Sequence, residues 1–395
     1  MNELKNNLKY FPILILPLGC IGVSSAFQVI SIIIALLCYF KLNIKYDYKN
    51  FFANKNIKTS FVVFFIWTCC ISIADIFAKD NIMEFSEGWH YFQRILPFFL
   101  VGLFSVNNDK FFKFFWYGIC IILFLIDLNV FYNFYVQGNW RPITMFNSPN
   151  KLGGFIILVL PFFIAGFYKF FSVNTVKYIA VLIFLSTIAS LFISGSRGAL
   201  LGLLGGYLIA IAFTTCKKYG LKRFLFTSIV LSFLILLIFY LIYSINTQFV
   251  FRDYDVERVY LWQSTIKMIL DYPIFGIGGG EFKHYYISDY ISPFAKENLT
   301  SPHNIFLYFL VERGIVGGGT FILLFVTQLY ILYKHLFDKN KIVNIWTVAG
   351  FVSVLGMGIH GMVDTQITMR TYSLMYWLLY GLACYGIVYE EQNNG

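Results

Sequence analysis

The residues of this sequence best suited to chemistry are arginines and a histidine in the connections between apolar segments. Arg197 lies in a tight turn, Arg258 and Trp262 are one helical turn apart in a later connection, and His303 follows further on. Arginine presents a planar fork of donors that matches phosphate oxygens, and a neutral imidazole accepts a proton. These residue types predict a site that binds a phosphate group and accepts a proton.

Structural roles for the same residues stay open at this point. Arg197 could cap the carbonyl end of the preceding helix or pair with an acidic residue. Arg258 and its neighbour Glu257 could belong to a solvated helix at the membrane interface. A lone histidine such as His303 often only makes a hydrogen bond at a lipid interface.

The segment around His303 is predicted to start a helix. Ser301 can cap it, and Pro302 suits the first helical position before the apolar residues 305–311. His303 would then lie in the first turn. The positive end of the helix dipole, with any neighbouring arginine, would keep its imidazole uncharged. We therefore expect His303 to be available as a proton acceptor.

The composition indicates an integral membrane protein. Of the 395 residues 58% are hydrophobic and only 13% are charged, and the mean hydropathy is +0.70. A typical soluble domain carries about 25% charged residues. Apolar stretches recur along the chain at about the length that crosses a bilayer as a helix. The net charge of +10 is explained by lysines that set orientation, so no nucleic-acid partner is expected.

The hydropathy pattern predicts an all-α polytopic fold with about twelve transmembrane helices. We divide the chain into residues 1–245 with helices 1–9, residues 246–314 as an outer loop, and residues 315–395 with helices 10–12 and a short tail. The predicted spans are two short helices within 10–40, followed by 60–78, 94–106, 111–136, 152–168, 176–193, 198–215, 223–245, 315–333, 342–362 and 369–389.

Lysines and arginines are sorted between the two sides of these spans. One set of alternate connections carries 17 Lys and one Arg, and the opposite set carries five Lys and seven Arg. Because loops rich in Lys and Arg stay in the cytoplasm, the first set is cytoplasmic and both termini lie there. The arginines of the outer set are Arg94, Arg141, Arg197, Arg252, Arg258, Arg313 and Arg370.

One outer connection, residues 246–314, is far longer than the others. A loop of this length is unusual in a compact bundle unless it works on a substrate. Apolar residues at helical spacing predict a short helix over Val256–Leu270. The glycine-rich segment Phe275–Gly280 follows, and its backbone is expected to approach a ligand closely. We expect this loop to carry the functional site.

Several short motifs, taken in their order and on their common side of the membrane, resemble the O-antigen ligase and O-antigen polymerase superfamily. The resemblance covers about residues 140–365, while the N-terminal third matches only in hydropathy. The motifs are Asn147-x-Pro149-Asn150, Ser196-Arg197-Gly198, Glu257-Arg258-x3-Trp262, Asp271-x-Pro273-x2-Gly276-x-Gly278-x2-Glu281-Phe282, Pro302-His303-Asn304-x2-Leu307-x4-Glu312-x-Gly314-x2-Gly317 and His360-x3-Asp364.

The resemblance implies a GT-C-like polytopic glycosyltransferase with its active site in a helical periplasmic loop at the bacterial inner membrane. The implied donor is a glycan on undecaprenyl diphosphate, and an O-antigen ligase transfers it to lipid A-core oligosaccharide. Arg197 and Arg258 match the arginines that hold the diphosphate, and His303 matches the histidine that assists the acceptor. Further substrate-binding candidates are Arg141, Arg252, Arg313, Trp262, Asn304 and Arg370.

The chemistry implied by the resemblance needs no metal and no cofactor, and an in-line attack would invert the anomeric carbon. Asp253-Tyr-Asp255 has the spacing that cation-dependent glycosyltransferases use to hold a divalent metal. Arg252 and Arg258 already supply positive charge there. We therefore favour ion pairing for these two aspartates.

Three alternatives to the ligase stay open. A polysaccharide polymerase would use the same carrier. A protein O-oligosaccharyltransferase usually has a longer C-terminal region than the few residues after Tyr389. A flippase or transporter would need ionisable groups at mid-membrane, where the predicted spans offer little beyond Asp127 and Gln328.

Overall fold

The chain folds as a set of packed helices, described here from a computed structural model. The structure describes residues 7–21, 26–42, 45–80, 86–142, 144–171, 174–220, 222–223, 225–230, 233, 237, 240, 255–337 and 344–394. Within these ranges the helices are α1 (Phe11–Cys20), α2 (Ala26–Leu42), α3 (Tyr48–Ala53), α4 (Lys55–Phe77), α5 (Ser86–Gln93), α6 (Leu96–Phe104), α7 (Asp109–Phe131), α8 (Pro149–Phe170), α9 (Asn174–Ser194), α10 (Arg197–Tyr219), α11 (Asp255–Asp271), α12 (Phe282–Tyr285), α13 (Ile305–Gly314), α14 (Thr320–Phe337), α15 (Ile345–Gly361) and α16 (Arg370–Asn394).

Short segments of other helical types extend or join these helices. Three π-helical turns follow α7, α12 and α13, and one 3₁₀ turn precedes α16. Their bounds are Tyr132–Val136, Tyr286–Tyr290, Ile315–Gly319 and Gln366–Thr368, respectively.

Seven of the described helical segments are long and apolar enough to cross a membrane, and three shorter apolar helices accompany them. The long segments are Lys55–Phe77, Asp109–Val136, Pro149–Phe170, Val176–Ser194, Arg197–Thr215, Ile305–Leu336 and Arg370–Asn393, and the shorter helices are Phe11–Cys20, Val29–Lys41 and Ile345–Gly361. For the described residues, the prediction of an all-α fold with membrane-spanning helices is therefore confirmed.

The predicted span over 94–106 is not one crossing. The helix found there, α6, has nine residues and begins after a turn at Arg94 and Ile95, with Pro97 in its first turn. At about 1.5 Å per residue it covers about 14 Å, less than half of the hydrocarbon thickness. The predicted span over 223–245 lies largely outside the described residues. The total of twelve spans stays a prediction.

The helix predicted after His303 and the span predicted to begin at residue 315 form one helical segment. The span predicted to begin at residue 315 continues back to Ile305. A kink at Gly314, whose φ is 58°, falls at the predicted boundary. A Cβ atom at this position would lie 2.2 Å from the Ile274 carbonyl oxygen, so both the backbone angle and the close contact require glycine.

Two helices form the centre of the bundle. About 78% of the spanning window of α8 and 94% of that of α16 are buried, whereas α10 has 22% buried and faces outward.

Helix α10 packs closely along α15 through glycines. A Cβ atom on Gly202 would lie 2.6 Å from the Gly356 carbonyl oxygen, and one on Gly206 would lie 2.8 Å from that of Val352.

Helix α8 runs between two polar regions, one at each of its ends. At its far end Lys169 pairs with Asp109 at 2.5 Å, and the Tyr389 hydroxyl donates to the same carboxylate at 3.0 Å. At its first turn Asn150 lines the cavity that also contains Arg197. The helical rise between residues 150 and 169 is about 29 Å. A lysine-containing end and an arginine-containing end are thus separated by roughly one hydrocarbon thickness.

Candidate active site

A cavity of about 320 Å³ lies where the starts of α8, α10 and α11 meet the end of α15. It contains two arginines from segments that are far apart in the sequence. Its lining residues are Asn150, Gly195, Ser196, Arg197, Gly198, Leu201, Asp255, Arg258, Val259, Trp262, His360 and Val363.

The turn between α9 and α10 determines the position of Arg197. Gly195 has a φ of 59°, which allows a tight reversal of the chain. The Ser194 hydroxyl accepts a hydrogen bond from the Ser196 N–H at 3.3 Å, and the Ser196 hydroxyl accepts one from the Ala199 N–H at 3.3 Å. These bonds satisfy N–H groups at the helix start. Arg197 is thereby held as the first residue of α10, at the edge of the cavity.

The guanidinium group of Arg197 binds both carboxylate oxygens of Asp255. Nη1 donates to Oδ2 at 2.9 Å and Nη2 donates to Oδ1 at 2.5 Å. The Arg197 side chain is 16% exposed and that of Asp255 is 34% exposed. The ion pairing expected for Asp255 is therefore confirmed, whereas Asp253 lies outside the described residues.

Helix α11 extends one residue beyond its predicted bounds at each end and is held by the loop that follows it. Its residues Arg258 and Trp262 both line the cavity. The Trp262 indole donates to the Pro302 carbonyl oxygen at 2.9 Å. On the same helix the buried Glu257 accepts a hydrogen bond from the Lys296 N–H at 2.9 Å. The charged face of α11 is thus fixed by loop contacts, and Glu257 is not a solvated partner of Arg258.

The helix predicted to start at Ser301 starts later, so the expected place of His303 in its first turn is wrong. Asn304 is the N-cap, and its side-chain oxygen accepts the N–H groups of Phe306 at 3.0 Å and Leu307 at 3.1 Å. His303 precedes the cap with a φ of 46°, outside helical conformation. Ser301 and Asn304 are both residue types suited to a cap, and here the Asn304 side chain is the one that satisfies two N–H groups of the first turn. His303 therefore lies just before the helix and not in its first turn.

The imidazole of His303 faces a carboxylate. Its Nδ1 atom lies 3.8 Å from Asp364 Oδ1, and the Asp364 side chain is 5% exposed. Burial by itself raises the pKa of the Asp364 carboxyl, but the neighbouring His303 and His360 imidazoles and the Thr365 N–H together lower that pKa below its usual value. Asp364 is therefore ionised next to His303.

His360 lies in the cavity wall, although it was not among the predicted site residues. It is 1% exposed, and its Nε2 atom lies 3.5 Å from the Ser196 hydroxyl. Gly154 and Gly198 leave space for the ring, since a Cβ atom on either would come within 2.8 Å of it. The His360-x3-Asp364 motif was the available signal in the sequence, since it placed a histidine near a carboxylate on the predicted outer side.

Arg141 lies at the rim of the cavity. Its Nη2 donates to Asn150 Oδ1 at 3.2 Å, and its Nε donates to the Ser194 carbonyl oxygen at 3.4 Å. Asn150 lines the cavity, and Ser194 precedes the turn that carries Arg197. Arg141 is thus linked to the turn that carries Arg197.

Two of the remaining predicted binding residues, Arg313 and Arg370, are not part of the cavity lining. Arg313 is 1% exposed, with Nε 3.0 Å from Asp75 Oδ1 and Nη1 donating to Glu312 Oε2 at 2.7 Å. Its predicted substrate-binding role is replaced by a structural one, since a buried charge must be paired. Arg370 is exposed at the start of α16. Arg252 lies outside the described residues.

Asn304 also has a structural role where substrate binding was predicted. Besides capping α13, its side-chain amide donates to the Met362 carbonyl oxygen at 3.1 Å. Met362 follows directly after α15 and lies two residues before Asp364. Asn304 therefore ties the chain directly after His303 to the turn that carries Asp364.

The glycine-rich segment Phe275–Gly280 approaches protein backbone, where the sequence suggested a ligand. The Gly278 N–H donates to the Glu312 carbonyl oxygen at 3.1 Å, and the Lys79 N–H donates to the Gly276 carbonyl oxygen at 3.3 Å. Gly276 has a φ of 77°, and a Cβ atom on it would lie 2.5 Å from the Glu312 carbonyl carbon. These glycines join the outer loop to the end of α13.

Comparison with known proteins supports the motifs found in the sequence. Residues 180–323 match the family model described as O-Antigen ligase. A protein of Haemophilus influenzae, described as an uncharacterized protein, is 24% identical over 375 residues, which cover 88% of this chain and 89% of the relative. The family match spans Arg197, Arg258 and His303. Residues 180–323 of this chain are therefore similar to the O-antigen ligase family, in agreement with the resemblance seen in the motifs.

Proposed function

We propose that this protein is an O-antigen ligase that transfers glycan from undecaprenyl diphosphate to lipid A-core oligosaccharide at the periplasmic face of the bacterial inner membrane. The family match supports an O-antigen ligase or polymerase type of membrane enzyme. The donor, the acceptor, the membrane and the cytoplasmic location of both termini are parts of the proposal.

One observation carries the proposal. Arg197 and Arg258, which come from different helices, line a single cavity. The Trp262 side chain of the same cavity is bonded to the carbonyl group directly before His303. His303 itself is not part of the cavity lining, but this hydrogen bond links its segment to the cavity wall. The arrangement supports a proposal in which Arg197 and Arg258 bind the donor diphosphate and His303 accepts a proton from the acceptor hydroxyl beside it.

In the proposed reaction the acceptor hydroxyl oxygen attacks the anomeric carbon of the donor sugar. The bond between that carbon and the phosphate oxygen breaks, and its electron pair leaves on undecaprenyl diphosphate. Arg197 and Arg258 stabilise the charge that develops on the departing phosphate, since fixed guanidinium groups need no reorganisation during the reaction. Attack in line with the departing bond inverts the anomeric configuration.

His303 receives the proton of the acceptor hydroxyl in this scheme. Its Nδ1 side faces Asp364, which leaves Nε2 for the acceptor. Asp364 acts as a positioning residue, because an ionised carboxylate orients the ring and stabilises the imidazolium that forms. The proton therefore passes from the hydroxyl to Nε2 as the new glycosidic bond forms.

The deciding experiment is deletion of the gene followed by lipopolysaccharide gels. For a ligase we expect loss of all long-chain glycan from the lipid A core, with polymer accumulating on the carrier. A core that still bears a single repeat would instead assign the protein as a polymerase. Unchanged lipopolysaccharide would reject both activities.

Metal independence is tested separately. We expect transfer in washed membranes to survive exhaustive EDTA treatment, because arginines supply the positive charge that a divalent ion would otherwise provide. Loss of transfer that Mg²⁺ or Mn²⁺ restores would return the Asp253-Tyr-Asp255 segment to consideration as a metal site.

A further inference from the structure

We propose that Asp255 is a displaceable counter-ion that occupies the place of a donor phosphate on Arg197. This inference rests on the proposed function, because it concerns how the same cavity receives a diphosphate. Asp255 would leave Arg197 when the donor binds and return when the diphosphate product departs.

The contact between the two side chains has the geometry of phosphate recognition. Both terminal nitrogens of Arg197 donate to the two oxygens of one carboxylate, at 2.9 and 2.5 Å. A guanidinium fork binds two oxygens of a phosphate group in the same parallel arrangement. The fork of Arg197 cannot make this arrangement with a phosphate while Asp255 fills it.

The surroundings make Asp255 replaceable. Its side chain is 34% exposed and that of Arg197 is 16% exposed, and both line the cavity. Because both side chains keep contact with solvent, water can solvate their charges after they separate, although the two parallel hydrogen bonds make this pair stronger than a typical surface ion pair. Asp255 is also the first residue of α11, where the positive end of the helix dipole favours a carboxylate after it has left its partner.

The charges in the cavity favour the exchange. Arg197 and Arg258 bring two positive charges to the lining, and Asp255 neutralises one of them. A diphosphate carries more negative charge and more acceptor oxygens than one carboxylate, so it can engage both arginines together. Asp255 therefore lowers the affinity of the cavity for a diphosphate, which keeps the product from remaining bound.

The test measures binding of farnesyl diphosphate to the purified full-length protein in detergent, with farnesyl monophosphate as the comparison ligand. We expect Asp255→Asn to lower the Kd for farnesyl diphosphate by about fivefold, the effect of removing one partly exposed ion pair. Arg197→Ala should weaken binding, and the double variant Arg197→Ala with Asp255→Asn should show none of the gain.

The matched control is Asp289→Asn, which removes one negative charge from an exposed position of the same outer loop and should leave the Kd unchanged. If Asp255→Asn does not fold, Asp255→Ser retains a residue suited to a helix start and tests the same point. A folded variant at position 255 with an equal or higher Kd would overturn the inference. Wild-type protein that binds no farnesyl diphosphate, or binds it equally well without Arg197, would reject the proposed function itself.

Discussion

At the scale of single residues, Arg197 shows why the type of cation matters. It holds a carboxylate through two parallel hydrogen bonds, which a lysine cannot reproduce from one ammonium group. If the same fork stabilises the departing phosphate, Arg197→Ala should raise the barrier by about 2–4 kcal/mol, which corresponds to a loss of roughly 30- to 900-fold in rate. Arg197→Lys should recover little of this loss.

This prediction is checked by the rate of glycan transfer in membranes that contain equal amounts of each variant. Lys267→Ala is the control, because it removes an exposed cation from α11 that does not line the cavity. Full transfer by Arg197→Ala would remove this residue from the mechanism.

Asp364 leads to a second prediction at this scale. Asp364→Asn should slow transfer by about 10²-fold, because His303 then loses the carboxylate that orients it. The pKa of Asp364 lies below its usual value, so in the wild type this carboxylate stays ionised throughout the range from pH 7 to 5. Its contribution to folding stability is present above the ordinary aspartate pKa and is lost as the pH falls through the lowered one.

The measurement is a pH–rate profile of the wild type, Asp364→Asn and Asp364→Glu. We expect the asparagine variant to have a changed profile as well as a lower rate, and the glutamate variant to recover part of both. An Asp364→Asn profile that keeps the wild-type shape and rate would exclude the positioning role.

At the scale of helices, two asparagine caps allow a matched comparison. Asn304 caps α13 and donates to the Met362 carbonyl oxygen, while Asn344 caps α15 and donates to the Gly386 carbonyl oxygen. Replacing either residue with alanine should lower the stability of the protein by about 1 kcal/mol. Only Asn304→Ala should also slow glycan transfer, since His303 is its neighbour in the chain.

Thermal unfolding in detergent measures the loss of stability, and the transfer assay measures the rate of glycan transfer. Equal transfer rates for the two alanine variants would show that the cap of α13 does not control the position of His303.

The glycine-rich segment Phe275–Gly280 leads to a prediction about how the outer loop is held against α13. Gly276→Ala should loosen the outer loop, because the new methyl group would meet the Glu312 backbone and the φ of 77° is unfavourable for alanine. Gly138→Ala is the control: its φ is 69°, but nothing lies within 4 Å of the added atom. Limited proteolysis should cut the outer loop faster in Gly276→Ala than in Gly138→Ala, and equal cutting would contradict this account of the contact.

At the scale of the whole molecule, a buried ion cluster joins the outer loop to the helical bundle. Arg313 bridges Asp75 of α4 and Glu312 of α13, and all three side chains are at most 2% exposed. Removing the arginine leaves two carboxylates without their cation in a poorly hydrated place, which should cost about 3–5 kcal/mol. We expect Arg313→Ala to accumulate poorly and to unfold at a lower temperature.

A rescue experiment separates this structural role from substrate binding. The triple variant Arg313→Met, Asp75→Leu and Glu312→Leu replaces the whole cluster with apolar residues and should recover much of the lost stability. If Arg313→Ala instead has wild-type stability and binds donor more weakly, the residue belongs to the substrate site.

The amino-acid sequence by itself determined the membrane class, the predicted helix over Val256–Leu270 and the residue types of the site. These follow from composition and from patterns within one segment, such as the length of an apolar run or the spacing of Arg258 and Trp262. The prediction from the sequence placed the start of the helix near His303 three residues too early. Ser301 and Asn304 are both suited to a cap, and only the surrounding contacts select one of them.

The tertiary structure alone decided which arginines meet. From the sequence Arg197, which matched a motif, and Arg313, a further candidate, were both expected at the substrate on the same predicted side, yet one lines a cavity and the other is buried between two carboxylates. It also brought His360 and Asp364 to the site and joined Arg197 to Asp255. Such pairings depend on packing between helices that are distant in the chain, whereas patterns within one segment report only which face of that segment is polar.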